Sequence, residues 1–145
     1  MKQIVKMTNE QEEIMKIKLD HVTVNVKNMR ASEHFYGVVL GLEKMETVDM
    51  GDHVIRYFRL DGTVRLELIR YLTDSEELHP DVRTKGIYRH FAMEVEDVDA
   101  LYKKLLLAGC KCLSEPGDVP NLGFRGFLAE DPNGVEVEFL QRYKK

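Results

Sequence analysis

Two histidines and two glutamates stand at matching places in the two halves of this 145-residue chain. His21 and His90 are 69 residues apart (90 − 21), and Glu67 and Glu138 are 71 residues apart (138 − 67). Each half therefore supplies one imidazole early and one carboxylate late. Two nitrogen and two oxygen donors that converge on one point suit a divalent first-row metal with open coordination positions: Zn, Ni, Co, Mn or Fe(II).

The alternation of apolar and polar residues predicts the side of the strands on which these four residues lie. In the segment HVTVNV the valines alternate with polar residues, of which His21 is the first. In the other strands the same two-residue alternation places Glu67, His90 and Glu138 on the face opposite their apolar neighbours. If helices cover the apolar faces, all four lie on the concave side of the sheet. A single strand His or Glu is usually an ordinary surface residue, but the repeated placement favours a shared site.

The elements that would position these residues occur twice in the same order. The first half reads LDHVTVNV, KNMRASEHFYGVVLGLEK, HVIRYFRL and TVRLELIRY; the second reads YRHFAMEV, EDVDALYKKLLLAGCKC, GFRGFLAE, a DPNG turn and VEVEFLQRY. Both halves predict strand, helix, strand, strand, strand. Asn28 and Asp97 suit helix N-caps, and Gly41 and Gly109 suit the C-terminal stops.

The repeat divides the chain into an N-terminal arm and one domain. Residues 1–16 stand outside the repeat and form the arm, and residues 17–145 form the domain. Within the domain we predict module one at 17–72, a polar connector at 73–86 and module two at 87–143.

Composition excludes several classes of protein. The chain is 43% hydrophobic and 32% charged, which is enough apolar residue for a folded core. Its net charge of −4 gives no general attraction to nucleic acid or an anionic membrane, and no apolar run approaches the ~20 residues of a spanning helix. Cys110 and Cys112 are too close in sequence to bridge easily, which favours free thiols and a cytoplasmic protein.

The chain resembles the vicinal oxygen chelate superfamily over roughly Lys16 to Tyr143, and within it glyoxalase I-like lyases. The motifs that carry the resemblance are LDHVTVNV, FYGVVLGLE, RLELI, the strand H-x-A at His90, and EDPNGVEVEFL. The resemblance implies an α+β fold in which two βαβββ modules form a cupped, incompletely closed mixed sheet with helices on its outer face. It also implies a small-molecule substrate and a homodimer.

The resemblance also implies roles for the four residues. His21, Glu67, His90 and Glu138 fall on the four ligand positions of glyoxalase I-like enzymes, which hold one divalent metal ion. Dioxygenases and fosfomycin-modifying transferases of the superfamily typically use two His and one Glu, so the presence of Glu67 favours the lyase and isomerase branch. The implied reaction is proton transfer through a metal-stabilised enediolate, with Glu138 as the base and Glu67 as its partner on the opposite side.

The expected anchors for glutathione differ in this sequence. Where glyoxalase I has an Arg, an Asn and a second Arg, this chain has Asn25, Tyr71 and Gly86. Candidate substrate-binding residues are Asn25, Tyr71 and Arg125, and Glu136 is expected at the exposed rim rather than among the ligands. Two other functions stay open: an acyl-CoA epimerase of the methylmalonyl-CoA type, and a non-catalytic drug-binding protein of the bleomycin-resistance type.

Overall fold

Strands and helices follow the predicted order in both halves of the chain. The computed structural model describes residues 16–72, 78 and 87–144, so the predicted arm and connector lie almost wholly outside the described residues. Module one comprises β1 (His21–Asn25), α1 (Met29–Glu33), a π-helical segment (His34–Val39), β2 (Lys44–Asp49), β3 (His53–Asp61) and β4 (Val64–Tyr71). Module two comprises β5 (Phe91–Glu94), α2 (Val98–Leu107), β6 (Gly117–Val119), a 3-10 turn (Pro120–Leu122), β7 (Phe124–Glu130) and β8 (Glu136–Arg142). The α+β fold with two βαβββ modules is confirmed.

The helix boundaries depend on the predicted capping residues. The side chain of Asn28 accepts a hydrogen bond from the Ala31 amide at 3.1 Å, and Asp97 caps α2 in the same way. After Glu33 the first helix changes from α to π geometry over His34–Val39. At its end the Leu40 amide donates to the Phe35 carbonyl, five residues earlier in the chain. Across the described residues, the helices are too short or too polar to cross a membrane.

The eight strands form two four-stranded mixed sheets. Their orders are β2-β3-β4-β1 and β6-β7-β8-β5, with β1 parallel to β4 and β5 parallel to β8. The first strand of each module therefore lies at an edge of its sheet. In place of one incompletely closed sheet, the described chain has two open four-stranded sheets.

One hydrophobic core serves both modules. It joins the helix-facing side of each sheet to the apolar side of each helix, and its buried members are Val24, Val26, Phe35, Tyr36, Val39, Phe58, Leu66, Leu68, Val98, Leu105, Phe127, Ala129, Val137 and Phe139. Because strand side chains alternate, the polar residues between these positions point away from the core. The faces that carry the ligand candidates are thus the faces opposite the helices.

The DPNG turn before β8 connects the two modules. The Tyr36 hydroxyl donates to Asp131 Oδ2 at 2.7 Å in a buried contact. Asn133 accepts from the Lys27 amide at 2.8 Å and donates to the Ser32 hydroxyl at 3.0 Å. Burial and the neighbouring Asp131 carboxylate raise the pKa of Tyr36 well above its ordinary value, so the phenol stays protonated and donates.

We expect Tyr36→Phe to lower the free energy of unfolding by about 1–3 kcal/mol, because the buried Asp131 carboxylate loses the shortest of its hydrogen bonds. Urea denaturation measures this change. Tyr143→Phe is the matched control, since the Tyr143 hydroxyl bonds to Asp118 in an exposed position. Equal stability of the two variants would contradict a structural role for the Tyr36–Asp131 contact.

Candidate metal centre

His21 and Glu67 form the first pair of ligand candidates. The parallel register sets Thr23 of β1 beside Glu67 of β4, and His21 lies one pleat earlier on the same face. His21 Nε2 is 3.6 Å from Glu67 Oε1. A nitrogen and an oxygen bound to one first-row metal ion lie roughly 3 to 3.5 Å apart, since each metal–ligand bond is near 2.1 Å. The pair, here called half-site one, fits such an ion with little movement.

The orientation of the His21 ring also suits metal binding. Its Nδ1 lies 2.7 Å from Asp20 Oδ2, and the hydrogen bond from His21 lowers the pKa of that carboxyl. A proton held on Nδ1 leaves the lone pair of a neutral ring on Nε2, the atom that faces Glu67. Metal-bound histidines commonly donate their second N–H to a carboxylate in this way.

Glu67 is buried, with 8% of its surface exposed, and both of its oxygens accept hydrogen bonds. Thr23 Oγ1 donates to Oε1 at 3.1 Å, and the Tyr57 hydroxyl donates to Oε2 at 2.8 Å. Burial, followed by the hydrogen bond to Glu67, raises the pKa of Tyr57, so its hydroxyl remains a donor. Neither Tyr57 nor Asp20 was expected at the site, and the alternation within HVIRYFRL does not by itself set Tyr57 opposite Glu67.

His90 and Glu138 form half-site two on module two. His90 Nε2 is 3.8 Å from Glu138 Oε2, and both side chains are about a quarter exposed. The His90 Nδ1 atom is buried and has no hydrogen-bond partner among the residues the structure describes. Beside β8, the neighbours of Glu138 in register are Ala92 on β5 and Leu128 on β7.

The two half-sites do not meet within the described part of one chain. No group of three or more His, Cys, Asp or Glu side chains within residues 16–72 and 87–144 lies close enough to hold one metal ion. The sequence reading grouped all four residues in a single site; the structure pairs His21 with Glu67, and His90 with Glu138. Each pair lies at or beside the edge strand of its own sheet.

Asn25 and Tyr71, two of the candidate substrate-binding residues, share the face of Glu67. Asn25 is beside Ile69 in the register of β1 and β4, and Tyr71 lies two residues further along β4. The Tyr71 ring is 44% exposed and lies 4.9 Å from the His53 ring, measured between centroids. Both residues thus lie on the face of the sheet that carries half-site one.

Arg125, the third candidate, lies on the other side of its sheet. It is three residues from Leu128, the neighbour of Glu138, so alternation sets it on the helix-facing side. Its guanidinium pairs with both carboxylate oxygens of Asp99 on α2 at 2.9 Å and with Asp118 at 3.3 Å. The structure therefore removes Arg125 from the face that carries the ligand candidates.

Glu136 and the two cysteines complete the comparison with expectation. Glu136 is buried rather than exposed at a rim, and it pairs with Arg89 Nη1 at 2.6 Å. Cys110 and Cys112 are free thiols, as predicted, and burial raises the pKa of both. A raised pKa lowers the thiolate fraction, which disfavours thiol chemistry at either position.

Three comparisons relate the chain to known proteins. The family model described as Glyoxalase/Bleomycin resistance protein/Dioxygenase superfamily matches residues 18–139. The uncharacterized protein YwbC of Bacillus subtilis strain 168 is 30% identical over 130 residues, which is 86% of this chain and 98% of that protein. Two solved structures share the fold: the trypanothione-dependent glyoxalase I of Leishmania major (22% identity, TM-score 0.71, 87% of each chain) and a glyoxalase family protein of Bacillus cereus (20% identity, TM-score 0.74, 92% of this chain and 99% of that one).

Proposed function

The chain belongs to the glyoxalase/bleomycin resistance protein/dioxygenase superfamily, and from this premise we propose that it is a metal-dependent lyase or isomerase of the glyoxalase I type. The observation that carries the proposal is the pairing of one imidazole with one carboxylate on the polar face of each module. One divalent ion of the set Ni, Zn, Co, Mn or Fe fits these donors. Free thiols support a reducing cytoplasm as its location.

We propose further that two copies of the chain complete each site. The polar faces of the two modules lie opposite a shared core, and the half-sites lie at the β1 and β5 edges of separate sheets. An isologous dimer could bring the β1 edge of one copy to the β5 edge of the other. Half-site one of one copy would then face half-site two of its partner, and the dimer would hold two equivalent sites.

The residues divide the chemistry between them. When bound, the metal supplies Lewis-acid polarisation of a carbonyl oxygen of the substrate. Glu138 is partly exposed and has Ala92 and Leu128, neither of which has a side-chain donor, beside it in register. It takes the proton from the hydroxyl-bearing carbon next to the carbonyl and returns it to the carbonyl carbon, while the hydroxyl proton passes to the former carbonyl oxygen. His21, His90 and Glu67 stay in place as ligands.

The metal content tests the proposal directly. Protein purified without a histidine tag is expected to bind about one divalent ion per chain, because the proposed dimer would hold one four-donor site for each chain. We expect His21→Ala or His90→Ala to weaken Co²⁺ binding more than about 100-fold, beyond the range typical of residues outside the ligand set. Elemental analysis and competition with a chromophoric chelator measure the two quantities.

His34→Ala is the control, since His34 lies in the helical part of module one and is exposed. A wild-type protein that holds no metal and gains none on titration would contradict the proposal and favour a non-catalytic binding protein of the same fold. A His34 variant that loses metal as strongly as the His21 variant would also contradict this choice of ligands.

The thiol portion of the substrate is tested separately. Asn25 and Tyr71 occupy the positions at which glyoxalase I has the Arg and the Asn that bind glutathione, so the resemblance does not specify this portion. Deuterium exchange from solvent into the carbon next to the carbonyl distinguishes the two enzymatic functions. Exchange into hemithioacetals of 2-oxoaldehydes would support the lyase, and exchange into 2-methyl acyl-CoA thioesters would instead support the epimerase. We expect the first, since the four-donor ligand set is the one that the glyoxalase I resemblance implies.

A further inference from the structure

We propose that Tyr57 and Thr23 are positioning residues that hold Glu67 as a fixed metal ligand and leave Glu138 as the mobile carboxylate of the pair. This inference rests on the proposed metal site. Tyr57 donates to one Glu67 oxygen at 2.8 Å and Thr23 to the other at 3.1 Å. A carboxylate with a donor on each oxygen cannot rotate without losing a hydrogen bond. Each oxygen keeps a second lone-pair site, so Oε1 can still bind an ion beside His21.

The Tyr57 ring is itself held in place. The guanidinium carbon of Arg65 lies 4.0 Å from the ring centroid, and Arg65 Nη1 pairs with Glu46 at 2.9 Å. Tyr57 is 8% exposed, so its hydroxyl has few other partners to choose. The donor that reaches Glu67 is therefore presented in one orientation before any ligand binds.

The internal repeat supplies a comparison within the same molecule. Adding the spacing of the two histidines to Thr23 gives position 92 (23 + 69), and adding that of the two glutamates to Tyr57 gives position 128 (57 + 71). Those positions are Ala92 and Leu128, and the structure confirms that both flank Glu138 in register, as Thr23 and Tyr57 flank Glu67. Neither side chain carries a hydroxyl. The two glutamates hold equivalent places in the repeat but differ in their hydrogen-bond donors.

This difference assigns separate tasks to the two carboxylates. A ligand that must stay bound through a reaction gains from donors that fix its geometry. A carboxylate that must accept and release a proton has to change its position and its partners. Glu67 has the surroundings of a fixed ligand, and Glu138 has those of a carboxylate that moves.

Binding of Co²⁺ to the full chain tests the proposal without any assay of turnover. We expect Tyr57→Phe to weaken Co²⁺ binding ~10-fold or more and to change the visible absorption of the bound ion, because Glu67 loses its fixed position. Thr23→Val should weaken binding by several-fold, and Thr23→Ser, which keeps the hydroxyl, should match the wild type within about twofold. Tyr143→Phe is the control for loss of a tyrosine hydroxyl elsewhere.

The serine and valine variants separate the hydroxyl from the shape of the side chain, and Thr23 is exposed, so neither is expected to unfold the protein. Co²⁺ binding by Tyr57→Phe and Thr23→Val that equals the wild type, in affinity and spectrum, would overturn the proposal while leaving the metal site intact. A wild type without any affinity for Co²⁺ would overturn the proposal together with the proposed function. Weakened binding in a protein that lacks lyase activity would still support the positioning role.

Discussion

Replacing Glu138 with glutamine is expected to lower turnover by ~10³-fold, within the range that a positioned acid or base contributes. The amide keeps the size of the side chain and one oxygen donor but cannot accept the proton. Co²⁺ binding should be largely retained, because His21, His90 and Glu67 remain. The measurements are deuterium exchange and product formation from a hemithioacetal of a 2-oxoaldehyde, together with Co²⁺ affinity of the same preparation.

Glu94→Gln supplies the matched control for this prediction. Glu94 lies on the same face of β5 and β8 as Glu138, but it is exposed and pairs with Arg142 at 3.2 Å. Its replacement should leave turnover within about twofold, as is usual for surface substitutions. Full turnover by Glu138→Gln would show that another residue moves the proton, and Glu67 would then be examined by the same substitution.

Two inactive variants should restore a working site when they form a dimer together. In a dimer of one His21→Ala copy and one His90→Ala copy, one site carries both substitutions and the other carries neither. We expect each parent to be inactive and the purified mixed dimer to show about half the wild-type activity, because one of two isologous sites is intact. Its metal content should be about one ion per dimer, against about two for the wild type.

Co-expression with two different histidine-free affinity tags, followed by sequential purification, isolates the mixed dimer from its parents. A mixed dimer as inactive and metal-free as both parents would contradict a site shared between copies. Sedimentation of the wild type provides the companion measurement, and a monomer at assay concentration that retains full activity would contradict it as well.

The alternation within strands predicted which face of each sheet would carry the ligand candidates. This prediction used the three valines after His21 and the apolar neighbours of Glu138. It needed only the two-residue period of a strand and the assumption that helices cover the apolar side. The caps at Asn28 and Asp97 were equally local, since one side chain and a nearby amide define each. Features set by such short-range rules could be predicted from the sequence.

The contact between Tyr57 and Glu67 could not be predicted so simply. Asp61 pairs with Val64 across the turn between β3 and β4. If this register continued unbroken along the two strands, Phe58 would lie opposite Glu67. An irregularity between Arg59 and Asp61 shifts the register by one residue, which sets Tyr57 there and sends Phe58 into the core. A one-residue shift exchanges the two faces of a strand, and the sequence does not state where it occurs.

The separation of the half-sites lies beyond local rules for a different reason. The alternation of apolar and polar residues along a strand predicts which face of a module is polar. It does not predict how one module is oriented relative to the other. That orientation depends on long-range packing, above all on the shared core and on the contact of Asp131 with Tyr36. The grouping of the four candidate ligands in one chain was therefore the part of the site that sequence alone could not decide.

The unequal surroundings of Glu67 and Glu138 have a stereochemical consequence. Two like carboxylates on opposite sides of a planar intermediate could each deliver a proton, and the product would be a mixture of mirror-image forms. If Tyr57 and Thr23 hold Glu67 in place, as we propose, Glu138 alone would reach the reacting carbons, and it would do so from one side. Through the carboxylate that they hold, the hydroxyl groups of Tyr57 and Thr23 would thus determine the handedness of the product.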